Sequence, residues 1–248
     1  MRVVIAGELP LAEDLLALCL QAGHEASLYL VETLADAQTV ERLAGEAAQA
    51  DVALECHNES RPAKRRVVEL MAGAEALYVS ALACSATEAA SWTSRPERVV
   101  GWGALPPLAV GGVVELAPAM QTAPGALEAA ESFWQALGLA CFRVADGAGL
   151  VRARIVCALV NEAATALADG VATAADIDIA MRLGTNYPYG PLAWGDAIGL
   201  DVVLGVMRGL QDEFGEDRYR PCPLLVRYVL AGRLGKKTGR GFYDYQEV

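Results

Sequence analysis

Histidine and paired cysteines are scarce in this chain. Its 248 residues include only two histidines, His24 and His57, and six cysteines that show neither a C-x-x-C pair nor the spacing of a zinc site. Because most of the cysteines lie in apolar, periodic stretches, we predict that they are buried and reduced. We therefore expect no metal centre.

Basic residues are also few. The chain has 20 Lys and Arg against 31 Asp and Glu, which gives a formal net charge of −11. A chain this acidic repels the phosphates of nucleic acids and of anionic lipids, which argues against both as partners.

Uninterrupted apolar segments of membrane-spanning length are missing too. The longest candidate, residues 148–171, contains Arg152, Arg154, Glu162 and Asp169. The first residues run directly into a strand-like segment and lack the pattern of a cleavable signal. We expect a cytoplasmic protein that does not insert into a membrane.

The composition is that of a well-packed globular protein, with 54% hydrophobic and 21% charged residues. A length of 248 residues suits one large domain or two small ones. A glycine-rich link, residues 146–149, separates a half of alternating strands and helices from a helical half. We predict domains at residues 1–147 and 148–248.

The first domain begins with a strand, a glycine turn, a helix and a second strand. Residues 2–6 and 26–31 are short apolar runs, and residues 9–22 between them have helical spacing, so together they form a βαβ unit. Further strands are predicted at residues 51–56, 75–80, 97–101, 113–116 and 140–144, and helices at residues 41–50, 61–71, 86–92 and 124–137. The order predicts an α/β, Rossmann-like domain.

The turn after the first strand departs from a phosphate-binding turn. The three glycine positions of a G-x-G-x-x-G alignment are Gly7, Leu9 and Ala12. Leu9 places a branched side chain where the backbone must approach a pyrophosphate, and Glu8 adds a negative charge. The acid that would bind a ribose falls on Leu30, although Glu32 could replace it after a small slip. We predict a degenerate dinucleotide site.

The second domain consists of helical segments joined by short turns. Long helices are predicted at residues 150–169, 201–214 and 223–231. Residues 176–201 have the pattern of a helix, a sharp turn and another helix, in which Gly184 ends the first helix and Pro188 and Pro191 force the turn. Wide apolar faces on such helices predict a bundle.

Ordered motifs run through this second half and into its glycine-rich tail. They are Asn161-Glu162, Asp176-Ile177-Asp178, Gly190-Pro191-Leu192, Asp196, Gly199-Leu200-Asp201, residues 218–225, Lys237-Thr238-Gly239 and Gly241-Phe242-Tyr243. In this order they resemble the C-terminal helical domain of the 3-hydroxyacyl-CoA dehydrogenase family. The whole chain is similar to the second copy, with its reduced Rossmann-like domain, found in long bacterial members. The resemblance implies a homodimer formed through the helical domain, and NAD as cofactor if the family's site still binds it.

The resemblance also implies where the family's catalytic residues would stand. The family uses a histidine as general base, a glutamate that orients it, and a serine and an asparagine that hold the substrate oxygen. These positions are Gly103, Glu115, Leu82 and Ala153, and the neighbouring Arg154 matches a family arginine. Glycine, leucine and alanine side chains can neither take a proton nor bind an oxygen. We expect no intact catalytic set, with Glu115 as a remnant and Arg154 as a candidate substrate residue.

Other residues could replace the missing groups. His57 follows the third strand, and strand carboxyl ends face the ligand crevice of an open α/β sheet, so it is a candidate base. The alternative is an exposed loop histidine with no role. Cys84 is a candidate nucleophile, but no base lies near it in the sequence. The basic cluster in the helix at 61–71 is either a solvated face or a contact for an anion or acidic partner; its members are Arg61, Lys64, Arg65 and Arg66.

The sequence leaves three functional hypotheses open. The first is a catalytically degenerate family member that serves acyl-CoA metabolism as a dimerising or ligand-binding accessory, with an acyl-CoA ligand or a partner enzyme. The second is NAD-dependent oxidation of a 3-hydroxyacyl-CoA or related hydroxy acid by a rearranged site that uses Glu115 or His57. The third is an enzyme of different chemistry with a site between the two domains.

Overall fold

Two structural units make up the chain in a computed structural model that describes residues 1–245. The first unit comprises Met1–Val151, and the second begins at Arg152. The domain boundary expected from the glycine-rich link lies at residue 147, close to the end of the first unit.

A seven-stranded sheet forms the centre of the first unit. In chain order its strands are β1 (Arg2–Gly7), β2 (Glu25–Leu30), β3 (Val52–Cys56), β4 (Ala76–Ser80), β5 (Val99–Gly103), β6 (Val113–Pro118) and β7 (Ala140–Arg143). They lie side by side in the order β2-β1-β3-β4-β5-β6-β7. Only the β5–β6 pair of this sheet is antiparallel, and its other pairs are parallel. The predicted α/β, Rossmann-like class is confirmed.

Helices connect the strands, as the alternating pattern predicts. They are α1 (Leu11–Gln21), α2 (Ala37–Ala47), α3 (Arg61–Met71), α4 (Ala86–Ala90) and α5 (Pro124–Ala136), with 3-10 segments at Val31–Ala35 and Pro96–Arg98. The second helix begins earlier than the predicted residue 41. The carboxylate of Asp36 accepts a hydrogen bond from the backbone N–H of Thr39, and this cap starts α2 at residue 37.

Apolar side chains cover both faces of the sheet. One face carries an aromatic cluster in which the rings of Trp102 and Trp134 lie 4.8 Å apart and Tyr78 packs beside them. The other face packs against side chains of α2 and α3, including Leu43 and Met71. Because the inner strands are buried on both faces, their sequences are continuous apolar runs instead of alternating ones.

The second unit is a set of helices, as predicted. They are α6 (Arg152–Ala168), α7 (Ala174–Thr185), α8 (Pro191–Ile198), α9 (Leu200–Phe214) and α10 (Pro223–Leu230). The expectation that Gly184 ends α7 is wrong. The helix continues through it, and Asn186 ends the helix with a left-handed φ of 56°.

Buried carboxylates connect the ordered motifs of this unit. Asp178 of α7 accepts hydrogen bonds of 2.8 and 2.9 Å from the first backbone N–H groups of α8, at Leu192 and Ala193. Asp196 of α8 accepts two bonds of 2.9 Å from the tail, at Phe242 and Tyr243. The motifs therefore join helix ends and turns within the unit.

Among residues 1–245, no helix combines the length and the apolar composition that crossing a membrane requires.

Candidate active site

The strand order of the sheet identifies the position of a ligand crevice. The chain leaves β1 toward β2 on one side and returns to β3 on the other, so the direction of winding reverses between β1 and β3. In open α/β sheets, ligands bind at the carboxyl ends of the strands at such a switch point. Here β1 ends at Gly7 and β3 ends at Cys56.

Gly7 permits β1 and β3 to approach closely at this point. A Cβ atom at residue 7 would lie 2.1 Å from Sγ of Cys56 and 2.9 Å from its carbonyl carbon. A side chain at residue 7 is therefore excluded by packing. Gly7, the first position of the G-x-G-x-x-G alignment, therefore has a structural role that does not require a bound phosphate.

The side chain of Glu8 spans the switch point. Its Oε1 accepts a hydrogen bond of 2.9 Å from the backbone N–H of Asn58, in the loop after β3. Its Oε2 lies 2.8 Å from Nδ1 of His57, and neither of these two atoms has another hydrogen-bond partner among the described residues. The turn after β1 is thus joined directly to the loop after β3.

His57 is buried, with 4% of its surface exposed, so the expectation of an exposed loop residue is wrong. The backbone N–H of Ser60 donates to Nε2 over 3.2 Å, so Nε2 carries no proton. In the neutral ring the proton is then on Nδ1, the nitrogen that faces Glu8. Both ring nitrogens are occupied by the protein, which leaves neither to act as a base toward a substrate.

A second buried carboxylate supports the same loop. Glu55 of β3 has no exposed surface and accepts hydrogen bonds from the backbone N–H groups of His57 (2.7 Å) and Ser80 (3.1 Å). Its remaining partner is Lys64 Nζ, at 2.5 Å. Burial raises the pKa of Glu55, and the charge of Lys64 acts in the opposite direction. Ser80 completes the group by donating to the amide oxygen of Asn58 over 2.8 Å.

One interpretation of the sequence placed Lys64 in a solvated basic face. That interpretation is wrong for Lys64. It is 1% exposed, and its ammonium also donates to the carbonyl of His57 over 3.0 Å. One sequence signal could have identified this pair. Glu55 is a lone charge within the apolar run of β3, and a buried charge requires a partner, which Lys64 supplies from the following helix.

Apolar side chains fill the space around Gly103, the position that the resemblance assigns to a catalytic histidine. A Cβ atom at Gly103 would lie 2.8 Å from Leu150 Cδ1 and 3.0 Å from Leu82 Cδ2. Both leucines are buried. There is consequently no space for an imidazole at residue 103 unless these side chains move. Glu115 lies directly across the antiparallel β5–β6 pair from Gly103 and is 5% exposed.

A third acid fixes the loop that follows β5. Asp14, in the first turn of α1, accepts a hydrogen bond of 2.8 Å from the backbone N–H of Leu108. Leu108 is buried in the aromatic core. The carboxylates of Glu8 and Asp14 thus attach the start of α1 to the loops after β3 and β5.

Two other candidates of the dinucleotide site lie nearby. Ala12 is fully buried in the first turn of α1. Glu32 lies in the 3-10 segment Val31–Ala35 and is exposed. It borders a cavity of about 390 Å³ together with Pro62 and Arg66 of α3. The lining of this cavity thus comes from the segment after β2 and from α3.

Arg154 and Ala153, by contrast, belong to the second unit. Arg154 is hydrogen-bonded to the hydroxyl of Tyr219, and its guanidinium lies 4.4 Å from the ring centre of Phe214. Ala153 is 1% exposed on α6. Arg154 is thereby engaged with two aromatic residues of its own unit.

Cys84 is a poor nucleophile in this environment. It is 1% exposed, and burial raises its pKa to about 12. A thiol needs a lowered pKa and access to a ligand in order to react at neutral pH. The described residues contain no group of three or more His, Cys, Asp or Glu side chains arranged to hold a metal ion.

Comparisons with known proteins agree with the helical motifs. The model of the family "3-hydroxyacyl-CoA dehydrogenase, C-terminal domain" matches residues 149–245. A probable 3-hydroxybutyryl-CoA dehydrogenase of Bacillus subtilis is 38% identical over 226 residues, which cover 88% of this chain and 76% of that protein. A 3-hydroxybutyryl-CoA dehydrogenase of Bradyrhizobium diazoefficiens is 38% identical over 203 residues, covering 80% of this chain and 69% of the relative.

A solved structure matches both units. The (S)-3-hydroxybutyryl-CoA dehydrogenase of Ralstonia eutropha superposes with a TM-score of 0.77 and 29% identity, covering 99% of each chain. The likeness therefore includes the α/β unit as well as the helical unit.

Proposed function

The chain belongs to the 3-hydroxyacyl-CoA dehydrogenase family, and within it we propose a catalytically degenerate member that serves acyl-CoA metabolism as a dimerising or ligand-binding accessory. The Bacillus subtilis and Bradyrhizobium diazoefficiens relatives are 3-hydroxybutyryl-CoA dehydrogenases by name. We place it in the cytoplasm, where acyl-CoA compounds would be available to it.

The apolar filling around Gly103 carries this proposal. Oxidation of a secondary alcohol requires a base that removes the hydroxyl proton, and such a base typically contributes about 10²- to 10⁴-fold to the rate. Residue 103 provides no such group, and Leu82 and Leu150 occupy the space that one would need. His57 does not compensate, because both of its ring nitrogens have protein partners.

NAD, the cofactor that the family implies, does not fit the residues at the switch point. The carboxylate of Glu8 extends across the end of β1 to Asn58 and His57, where a dinucleotide would have to pass. Pro10 has no N–H to offer a phosphate, and the Leu9 side chain stands where the backbone should be bare.

Exposed apolar residues support the dimerising role. In the second unit, Ile155 of α6 is 55% exposed, and Ile179 and Leu183 of α7 are 52% and 82% exposed. Ile179 and Leu183 are four residues apart, so they lie on one face of α7, and a contiguous exposed apolar patch is typical of a surface that another chain covers. A homodimer formed through the helical unit would bury them, and sedimentation of the purified protein would measure its mass.

The function is tested by turnover. We would follow NADH consumption with acetoacetyl-CoA, using the Bacillus subtilis relative as the positive control under identical conditions. We expect a rate at least about 10²-fold below that of the control, from the loss of the base alone. A rate comparable to the control would refute catalytic degeneracy.

One observation favours the alternative function, NAD-dependent oxidation of a 3-hydroxyacyl-CoA or related hydroxy acid. Glu115 is retained and buried, opposite the place of the missing base. If it were a substitute base, the chain would show turnover, and Glu115→Gln would abolish that turnover without changing substrate affinity. The accessory function predicts no turnover for that variant to abolish.

A further inference from the structure

The ligand crevice of the first unit contains an anion supplied by the chain itself. We propose that the Glu8 carboxylate stands in for the phosphate of a nucleotide at the β1–β3 switch point, so that the crevice is closed to dinucleotides by an internal contact. Closure of the crevice to nucleotides is independent of whether residue 103 can carry a base.

The contacts of Glu8 are those that a bound anion would make. One oxygen accepts from a backbone N–H of the loop after β3, at Asn58, and the other faces the protonated Nδ1 of His57. Backbone N–H groups and imidazole N–H groups are common donors to phosphate in proteins. The carboxylate is also shielded from water, since its side chain is 10% exposed.

The receiving loop is held rigidly in the position that suits Glu8. The backbone N–H of Ser60 donates to Nε2 of the imidazole ring, and the Glu55 carboxylate accepts from the backbone N–H of His57. Ser80 holds the side chain of Asn58. The loop therefore cannot turn toward another ligand without breaking several buried hydrogen bonds.

Removing Glu8 from this position would be unfavourable. A ligand that displaced the Glu8 carboxylate would have to accept from Asn58 N–H and His57 Nδ1 in its place. The negative charge of a phosphate would then lie beside the displaced carboxylate. Like charges a few ångströms apart in a partly buried site repel strongly. A dinucleotide must therefore overcome both an existing contact and a repulsion before it gains any contact of its own.

The experiment restores the small residues that the alignment requires. The double variant Glu8→Ala/Leu9→Gly removes the internal anion and clears the turn. Its binding of NAD⁺, and separately of inorganic pyrophosphate, would be measured by titration calorimetry beside the wild type. We expect no binding to the wild type at millimolar concentrations. In the variant we expect affinity to rise at least about tenfold, which corresponds to about 1.4 kcal/mol of binding free energy.

Glu13→Gln is the matched control. Glu13 lies in the first turn of α1, shortly after Glu8, and is exposed, so this variant removes one negative charge without touching the Glu8 contacts. We expect its affinity for pyrophosphate to equal that of the wild type. A gain as large as that of the double variant would show that general charge, and not occupation of the crevice, excludes anions, and it would overturn the proposal.

Glu8→Gln keeps the test decisive if the double variant does not fold. It retains the size of Glu8 and one acceptor for Asn58 N–H, and it lacks the charge. We expect tighter pyrophosphate binding than in the wild type. Micromolar binding of NAD⁺ by the wild type, or no gain in any folded Glu8 variant, would overturn the proposal. Neither result would restore a base at Gly103, so failure here and failure of the proposed function remain distinguishable.

Discussion

At the scale of single residues, the protonation of His57 is set by neighbours on opposite sides of its ring. Ser60 N–H donates to Nε2, and Nδ1 faces the Glu8 carboxylate. We predict that the neutral ring carries its proton on Nδ1. Nitrogen-15 NMR distinguishes the two tautomers, and His24→Gln assigns the signals because the chain has only two histidines. A proton found on Nε2 would contradict the contact with Ser60 on which the closed crevice depends.

Gly103 provides the second residue-scale prediction. A methyl group there would press against Leu150 and Leu82 at distances of 2.8 and 3.0 Å. We expect Gly103→Ala to lower the free energy of unfolding by about 1–3 kcal/mol, as overpacking in a core does. Chemical denaturation measures this.

Gly45→Ala is the control for that measurement. Gly45 lies within α2, and a Cβ atom there would meet nothing within 4 Å. The same chemical change should therefore stabilise the protein by about 0.5–1 kcal/mol through helix propensity. If Gly103→Ala behaved like Gly45→Ala, the space at residue 103 would be open, and the argument for a filled catalytic position would fail.

Sequence reasoning found some of these residues and missed others for a physical reason. The resemblance could assign positions 82, 103 and 115, because a motif reports which side chain stands at each position, and these assignments stay predictions. The contact between Glu8 and His57 could not, because it joins the ends of two strands that become neighbours only when β1 and β3 pair. The role of Glu8 was inferred only as repulsion of a phosphate.

At the scale of elements, a buried carboxylate attaches the tail to helix α8. Asp196 is 1% exposed and accepts hydrogen bonds from the N–H groups of Phe242 and Tyr243 and from the hydroxyl of Tyr245. We predict that Asp196→Asn costs about 1–3 kcal/mol, because an amide turns an N–H group toward one of these donors. Urea denaturation measures the loss.

Asp169→Asn serves as the comparison, since Asp169 is exposed just after α6. It should change stability by less than about 0.5 kcal/mol. Equal effects of the two substitutions would show that lost charge, not the lost tail contact, accounts for the Asp196 result.

The helices and strands themselves were largely predictable, and the exceptions have local causes. The strands of the sheet are apolar runs bounded by glycine or polar residues, which is a strong signal. The predicted end of α7 at Gly184 was wrong, because a glycine within a helix is tolerated and Asn186 can adopt the left-handed φ that ends the helix. The 3-10 segment Val31–Ala35 was missed because it is short and carries no periodic pattern.

At the scale of the whole molecule, buried thiols link stability to alkaline pH. Cys19 lies in α1, Cys84 in the loop before α4 and Cys157 in α6, and burial raises the pKa of each from 9.0 to about 12. In the unfolded chain these thiols ionise near their ordinary pKa. The unfolded state therefore loses protons that the folded state retains, and the stability that the protonated thiols provide is complete below about pH 8.5.

As the pH rises from about 9 toward 12, the free energy of unfolding should fall by up to about 1.4 kcal/mol per pH unit for each buried thiol. Urea titrations at a series of pH values measure this slope. Cys157→Ala should reduce the slope of unfolding free energy against pH by the contribution of one thiol. Near pH 7 it should lower stability only through the loss of the packing of the sulfur atom. An unchanged slope in that variant would mean that Cys157 ionises in the folded protein as readily as in the unfolded one. That result would be incompatible with the complete burial of this side chain in α6.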